Sequence, residues 1–319
     1  MTRDVVVGFD GTGQKWEDNT NVARVLRAAE VAGHLTFYFP GVGTKWYNRV
    51  RGGVGGARTL ETLGDALELV SDAYHVNNTD VRIWIVGYSR GGASAIAFSN
   101  LLFEVGVGRR IARPHVREEA LNVIGARAGY RATRCRDFRR RHNTTRPDVH
   151  FVGCFDPVGA LGLGIPRELA RAWFGSLDLR VAPNVKHYFS LLALDEHRRF
   201  FQPIMQDRRN GNQVLQKWVP GCHGDIGGGE RQPVAEYTVN DMLIYMSYDL
   251  TGIQPKIVDF NDCIQDTTSF HGLHRLPGKV NRRIGLGFPG ERKSTLARFW
   301  QANLLAAGRP WGDIDDLPC

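Results

Sequence analysis

The sequence predicts an α/β protein with a mostly parallel central sheet and helices on both faces. Three observations predict it. Short runs rich in β-branched and aromatic residues alternate with longer stretches of helical period along most of the chain. Those short runs are apolar almost throughout, as in strands covered on both faces, instead of alternating with polar residues. Glycines and polar residues collect just after each run, at the strand ends where open α/β sheets bind their ligands.

The elements follow in order. Residues 4–9 (DVVVGF) read as a first buried strand, and residues 21–32 (NVARVLRAAEVA) as a helix that Thr20 or Asn21 can cap. Residues 35–39 (LTFYF) form a second strand. The GVGT and RGGVGGAR stretches after it read as loop, too glycine-rich to pack, before a helix over residues 60–74. A third strand begins at Val81 (VRIWIV), and the small-then-apolar GASAIAFSNLLFEVG behind it has helical spacing. Further strands are expected at residues 149–155, 185–192 and 214–219, and a last helix at 239–248. No internal repeat or low-complexity tract interrupts the pattern. The expected organisation is one domain over 319 residues, with 103–148 inserted as a cap and 231–319 packed on it as a C-terminal extension.

Composition narrows the class. A hydrophobic fraction of 42% and a charged fraction of 23% are ordinary for a globular protein. The five cysteines are scattered and show no C-x-x-C spacing, so neither a disulfide framework nor a zinc site is indicated, and a reducing compartment is expected. MTRDVVVGFDG moves directly into a strand, with no signal-peptide core and no run of transmembrane length, so the chain is expected to start as a soluble cytoplasmic protein. A net charge of +8 favours anionic partners such as phospholipid head groups or nucleic acid. Basic residues without interleaved aromatics or a recognisable module do not read as a nucleic-acid site.

The chemistry concentrates in Gly87-Tyr88-Ser89-Arg90-Gly91, at the end of the third strand. A serine on a sharp strand-to-helix turn projects its Oγ above the sheet, and flanking glycines let the backbone turn, so Ser89 is the candidate nucleophile. A serine needs a base, and the base an orienting carboxylate; in hydrolases of this kind they follow in the order Ser, Asp or Glu, His. His223, in VPGCHGDIGGG after a strand, is the candidate base. Asp156 (CFDPVGALG) and Asp195 (LALDEHRR) compete for the orienting place. Asp156 is preferred because an apolar turn follows it, whereas Asp195 opens a charged run that reads as a solvated helix start or an ion-pair cluster.

A tetrahedral intermediate needs two N–H donors. Arg90, after the nucleophile, supplies one, and Gly11 or Thr12 in FDGTG after the first strand fits the other. Asp10 and Asp225 are expected as supporting carboxylates, Asp10 by accepting from the amides and hydroxyls of its own loop. FDGTG also fits a phosphate-binding hairpin of the sugar-kinase and actin type, but the helical NVARVLRAAEVA behind it argues against a hairpin.

These pieces resemble a known family. FDGTG with TNV, FYFPGVGT, GGVGG, VGYSRGGASA, FDPVGA, HYFSLLALDEHRRFFQP and VPGCHGDIGGG occur in this order in the uncharacterised α/β-hydrolase-domain family that includes phospholipase effectors of bacterial type VI secretion systems. The resemblance spans roughly residues 4–230. It implies the α/β-hydrolase fold, ester hydrolysis, and catalytic positions at Ser89, Asp156 and His223; delivery by a dedicated secretion system would follow from it. Larger effectors of the family carry long lipid-associating insertions, most of which this chain lacks.

The insertion is crowded with arginines from Arg109 to Arg146, which read either as a lid gripping a phosphate or carboxylate or as a solvated basic helix pair. His271 or His274 in the C-terminal extension could line the site. The expected function is a serine hydrolase of a carboxylic ester, lipid or phospholipid, working through an acyl-enzyme, with transient membrane-surface contact and without a metal or organic cofactor. The alternative from another class is an idle hydrolase-like module that binds an anionic partner through the basic insertion.

Overall fold

The structure, a computed structural model, describes residues 3–41, 54–76, 81–124, 128–159, 178–196, 198, 201–207, 213–219, 221–228, 232–256 and 258. Six strands make one sheet: β1 (Arg3–Phe9), β2 (Leu35–Phe39), β3 (Val81–Tyr88), β4 (Val149–Phe155), β5 (Val185–Ala193) and β6 (Gln213–Val219). Their order is β2-β1-β3-β4-β5-β6, and every neighbouring pair is parallel. This is the architecture of an α/β hydrolase.

The two faces of the sheet follow from side-chain alternation. Val5, Val7, Ile83 and Ile85 point into one core, against α2 (Val54–Val76) and α3 (Arg90–Val105). Val6, Trp84 and Val86 point into the other, against α1 (Asn21–Val31) and a C-terminal helix over Gln232–Ser247. Thr20 caps α1 by accepting from Ala23 N at 3.3 Å, and its Val22, Val25, Leu26 and Ala29 stripe is buried.

β2 lies on one side of β1 and β3 on the other, so the chain reverses direction of travel between β1 and β3. At such a switch point the loops leaving the two strands part and open a crevice at the carboxyl edge. The loops that part here are Asp10-Gly11-Thr12 and the turn at Ser89.

Three expectations need correction. The glycine-rich stretch read as loop is helical from Val54 onward, because Leu63, Ala66, Leu67 and Val70 of the same helix bury against the sheet and outweigh the poor helix propensity of glycine. The last helix starts at Gln232, seven residues before the expected 239, with Pro233 in the first turn, where a missing N–H costs nothing.

The insertion is not a cap over the serine. It consists of a 3-10 turn (Arg109–Ala112), α4 (Pro114–Ile124) and α5 (Ala128–His142), and Val107 pairs with Thr145 to close it at the far end of α3. Sixteen helical residues, about 24 Å of rise, separate that end from Ser89. Ile111, Val116, Ala120, Ile124 and Phe138 join the core on the α2 and α3 face, which is what fixes the insertion there. Residues 259–319, with His271 and His274, lie outside the described residues, as do most of GVGT and Gly229.

Candidate active site

β3 delivers Ser89 to the carboxyl edge in an uncommon conformation, φ 58° and ψ −122°. A non-glycine residue at positive φ is costly and persists only where its surroundings over-determine it. Ser89 N donates to Phe155 O at 3.0 Å, and Ser89 O accepts from Gly92 N at 3.0 Å and Val158 N at 3.1 Å. The flanking glycines are required by close approach. A Cβ on Gly87 would stand 2.3 Å from Gly91 O, and one on Gly91 would stand 2.1 Å from Phe9 O.

Ser89, His223 and Asp156 come from three strand ends into one hydrogen-bonded line. His223 Nε2 is 2.8 Å from Ser89 Oγ, and Nδ1 is 2.6 Å from Asp156 Oδ2. Asp156 is fully buried and its carboxylate can only accept, so Nδ1 carries the proton and Nε2 is left to accept from the serine hydroxyl. Asp156 sits at φ 42°, its N–H donating to Leu191 O at 2.7 Å and its Oδ1 accepting from Ala193 N at 2.9 Å, so β5 holds it on both sides.

His223 opens the short helix α6 (His223–Gly227), its ring between Tyr88 and Phe201 at centroid distances of 5.0 and 4.8 Å. Asn21 ties α6 to α1 and to the following helix, donating through Nδ2 to Ile226 O at 3.0 Å, Ala235 O at 3.2 Å and Thr238 Oγ1 at 2.9 Å. Asp225 is fully buried, and its Oδ2 accepts from Cys222 N at 2.8 Å, capping α6 from within.

The rival carboxylate has another place. Asp195 Oδ2 accepts from Gly221 N at 2.8 Å and Asp195 N donates to Gly221 O at 3.0 Å, so Asp195 braces the loop that carries His223. Of the two readings of the charged run, the ion-pair cluster is the one found, but sequence reasoning missed the link of Glu196 to the site: it is buried and accepts from His223 N at 3.3 Å and from Arg198 at 2.8 and 2.6 Å. Burial pushes the Glu196 carboxyl up, but the Arg198 hydrogen bonds outweigh it and hold it below its ordinary value. Arg198 in turn stacks on Phe201, 3.7 Å from the ring centre. The signal was Phe200 and Phe201, since a charged run leading straight into two phenylalanines is poorly suited to a solvated surface.

In the loop after β1, Asp10 Oδ1 accepts from Gly11 N at 2.7 Å, and Oδ2 accepts from Thr20 Oγ1 at 2.6 Å and Tyr38 OH at 2.7 Å. Burial pushes the Asp10 carboxyl above its ordinary value despite these three donors. The expectation for Gly11 needs correction: its N–H is committed to Asp10. Thr12 N–H, by contrast, has no partner among the described residues, and neither has the buried Thr12 Oγ1. The phosphate-hairpin alternative fails here, because α1 follows the loop and β2 returns parallel to β1.

Beside this loop lies a small recess, lined among others by Thr12, Thr59, Thr62, Arg90 and Ser94. Burial lowers the Arg90 guanidinium to about 10, which leaves it charged at neutral pH. Among the described residues, no arginine of the insertion lines this recess. Arg117 bridges to Asp65 and Glu68 at 2.7 and 2.8 Å, Arg141 to Glu119 at 2.5 Å, and Arg146 donates to Phe103 O at 2.7 Å.

A family model described as the type VI secretion phospholipase effector Tle1-like catalytic domain matches residues 3–247. The chain belongs to this family. Among solved structures it is similar to an uncharacterised protein from Pseudomonas aeruginosa, at 17% identity and a TM-score of 0.47, over 81% of this chain and 47% of that one. A Tle1 effector bound to the VgrG spike of the type VI secretion system aligns at 17% identity and a TM-score of 0.40, over 73% and 52% of the two chains. A carboxylesterase from Lactobacillus plantarum aligns at 13% and 0.43, over 80% and 89%. The chain thus spans about half the length of the first two. No curated protein matches the sequence. No helix among the described residues is long and apolar enough to cross a membrane.

Proposed function

We propose that the protein is a serine hydrolase of carboxylic esters whose substrates are phospholipids. The observation that carries this reading is the line from Ser89 Oγ through His223 to Asp156, at 2.8 and 2.6 Å, on a strained turn at the switch point of the sheet. His223 Nε2 takes the Ser89 proton as Oγ attacks the ester carbonyl, and Asp156 holds the imidazole in the productive tautomer and stabilises its charge. Thr12 and Arg90 N–H groups hold the oxyanion; one such donor is worth about 2.7–4 kcal/mol in the transition state. His223 then returns the proton to the departing alcohol, and water repeats the sequence on the acyl-enzyme.

A phospholipid is favoured over a neutral ester by the charged Arg90, the residue after the serine, which lines a small recess together with Thr12, Thr59, Thr62 and Ser94. Family membership supports the same substrate class, and supports delivery by a type VI secretion system. The test is fatty-acid release from phosphatidylglycerol vesicles alongside p-nitrophenyl esters of varied chain length. Wild type should cleave the vesicle lipid and Ser89→Ala should not; cleavage of the p-nitrophenyl esters alone would remove the phospholipid assignment.

A further inference from the structure

We propose that His150, His187 and Asp249 bind one divalent metal ion of the zinc type at the edge of the sheet opposite Ser89. The three come from separate elements: His150 from β4, His187 from β5, and Asp249 from the turn just beyond the helix Gln232–Ser247. One potential ligand atom from each lies within 4.8 Å of the others, and His150 Nε2 is 3.0 Å from Asp249 Oδ2. Ligands about 2.0–2.1 Å from a tetrahedral ion stand roughly 3.4 Å apart, so side-chain rotations of at most about 1.5 Å complete the set.

The backbone is built to bring the two imidazoles together. Val149 lies opposite Ile83 and Phe151 opposite Trp84, so His150 is an extra residue in β4, and a bulge of this kind re-aims a side chain. Its ring accordingly sits 4.6 Å from Trp84 and 5.3 Å from His187, centre to centre. A further partner completes His187. Gln213 Oε1, on β6, is 3.1 Å from His187 Nδ1, which fixes the proton there and leaves Nε2 with its lone pair.

Neighbouring cations do not cancel the site. Arg82 is paired with Asp4 at 2.7 and 2.8 Å, and it donates to Asp249 O at 3.0 Å, so it steadies the third ligand. Lys186 is exposed and screened by water. Two imidazoles and one carboxylate suit zinc, cobalt or nickel, whereas calcium and magnesium want oxygen donors. Cysteine spacing carries no trace of such a site. Six strand residues, about 20 Å, separate His150 from Asp156, so a bound ion would staple the end of the last helix to β4 and β5 and take no part in ester cleavage.

The test uses the full-length, untagged chain stripped with a chelator and titrated with ZnCl2, then with CoCl2 followed by visible absorption. One tight equivalent is expected, not displaced by excess Mg2+ or Ca2+. Asp249→Asn, at an exposed position and checked for folding by circular dichroism, should weaken binding at least tenfold, as should His187→Ala, and Gln213→Ala should weaken it by about 10–100-fold. Binding that is absent, or equally tight in wild type and in Asp249→Asn, would overturn the proposal, the latter by placing the ion elsewhere.

Discussion

Replacing Ser89 with glycine should give an inactive protein that is more stable than the Ser89→Ala protein. Both changes remove the 2.8 Å hydrogen bond to His223, so that loss cancels in the comparison. Alanine keeps the Cβ and therefore the strain of φ 58° and ψ −122°, which costs about 1–3 kcal/mol for a residue with a side chain. Glycine relieves it but adds freedom to the unfolded chain, a penalty of about 0.5–1 kcal/mol. The difference is a gain of up to about 2.5 kcal/mol for glycine over alanine. Urea unfolding followed by circular dichroism reads it as a rise of a few tenths molar in the midpoint. An alanine variant as stable as the glycine variant, or more so, would refute the idea that the turn stores strain to hold the hydroxyl above the sheet.

The remaining predictions concern the groups around the serine. Asp156→Asn should lower kcat by about 10⁴ with the fold intact, while Asp195→Asn, whose amide oxygen can still accept from Gly221, should cost far less; steady-state kinetics showing the reverse order would move the orienting role to Asp195. Arg90→Gln should lower kcat/KM on phosphatidylglycerol at least tenfold more than on p-nitrophenyl butyrate, since charge-assisted contacts to phosphate are worth about 1.5–3 kcal/mol; equal losses would show that the guanidinium does not read the head group. Glu196 has a folded-state pKa below its unfolded value of about 4.3, so its contribution is complete above that value and is lost as pH falls through the folded one. Stability measured from pH 3 to 7 should therefore decline toward acid more gently in Glu196→Gln, and an unchanged slope would rule out that contribution.

Much of the fold was legible because the strands are apolar on both faces. The run at 149–155 coincides with β4, buried at every position, since a doubly covered strand writes its limits as the ends of an apolar run. The structure brings together Ser89, Asp156 and His223, each of which sits where an apolar run meets glycine or proline, a local signal. What the sequence hid depends on contacts between distant segments. Packing of Leu63 and Leu67 extends a helix back into glycines. The apolar faces of α4 and α5 attach the insertion beside α2 and α3, and its arginines find acids there. The turn of Gly11 N–H onto Asp10, and the bulge that aims His150, are matters of backbone geometry that residue types do not encode.

Active-site labelling tests the nucleophile most directly. The full-length protein is treated with a fluorophosphonate probe, and the adduct is located by intact-mass measurement and peptide mapping. A single adduct on Ser89 is expected, formed rapidly by wild type, greatly slowed in His223→Ala and absent in Ser89→Ala. A protein that folds yet takes up no label would be an idle hydrolase-like module, and an adduct on any other residue would contradict the assignment of Ser89.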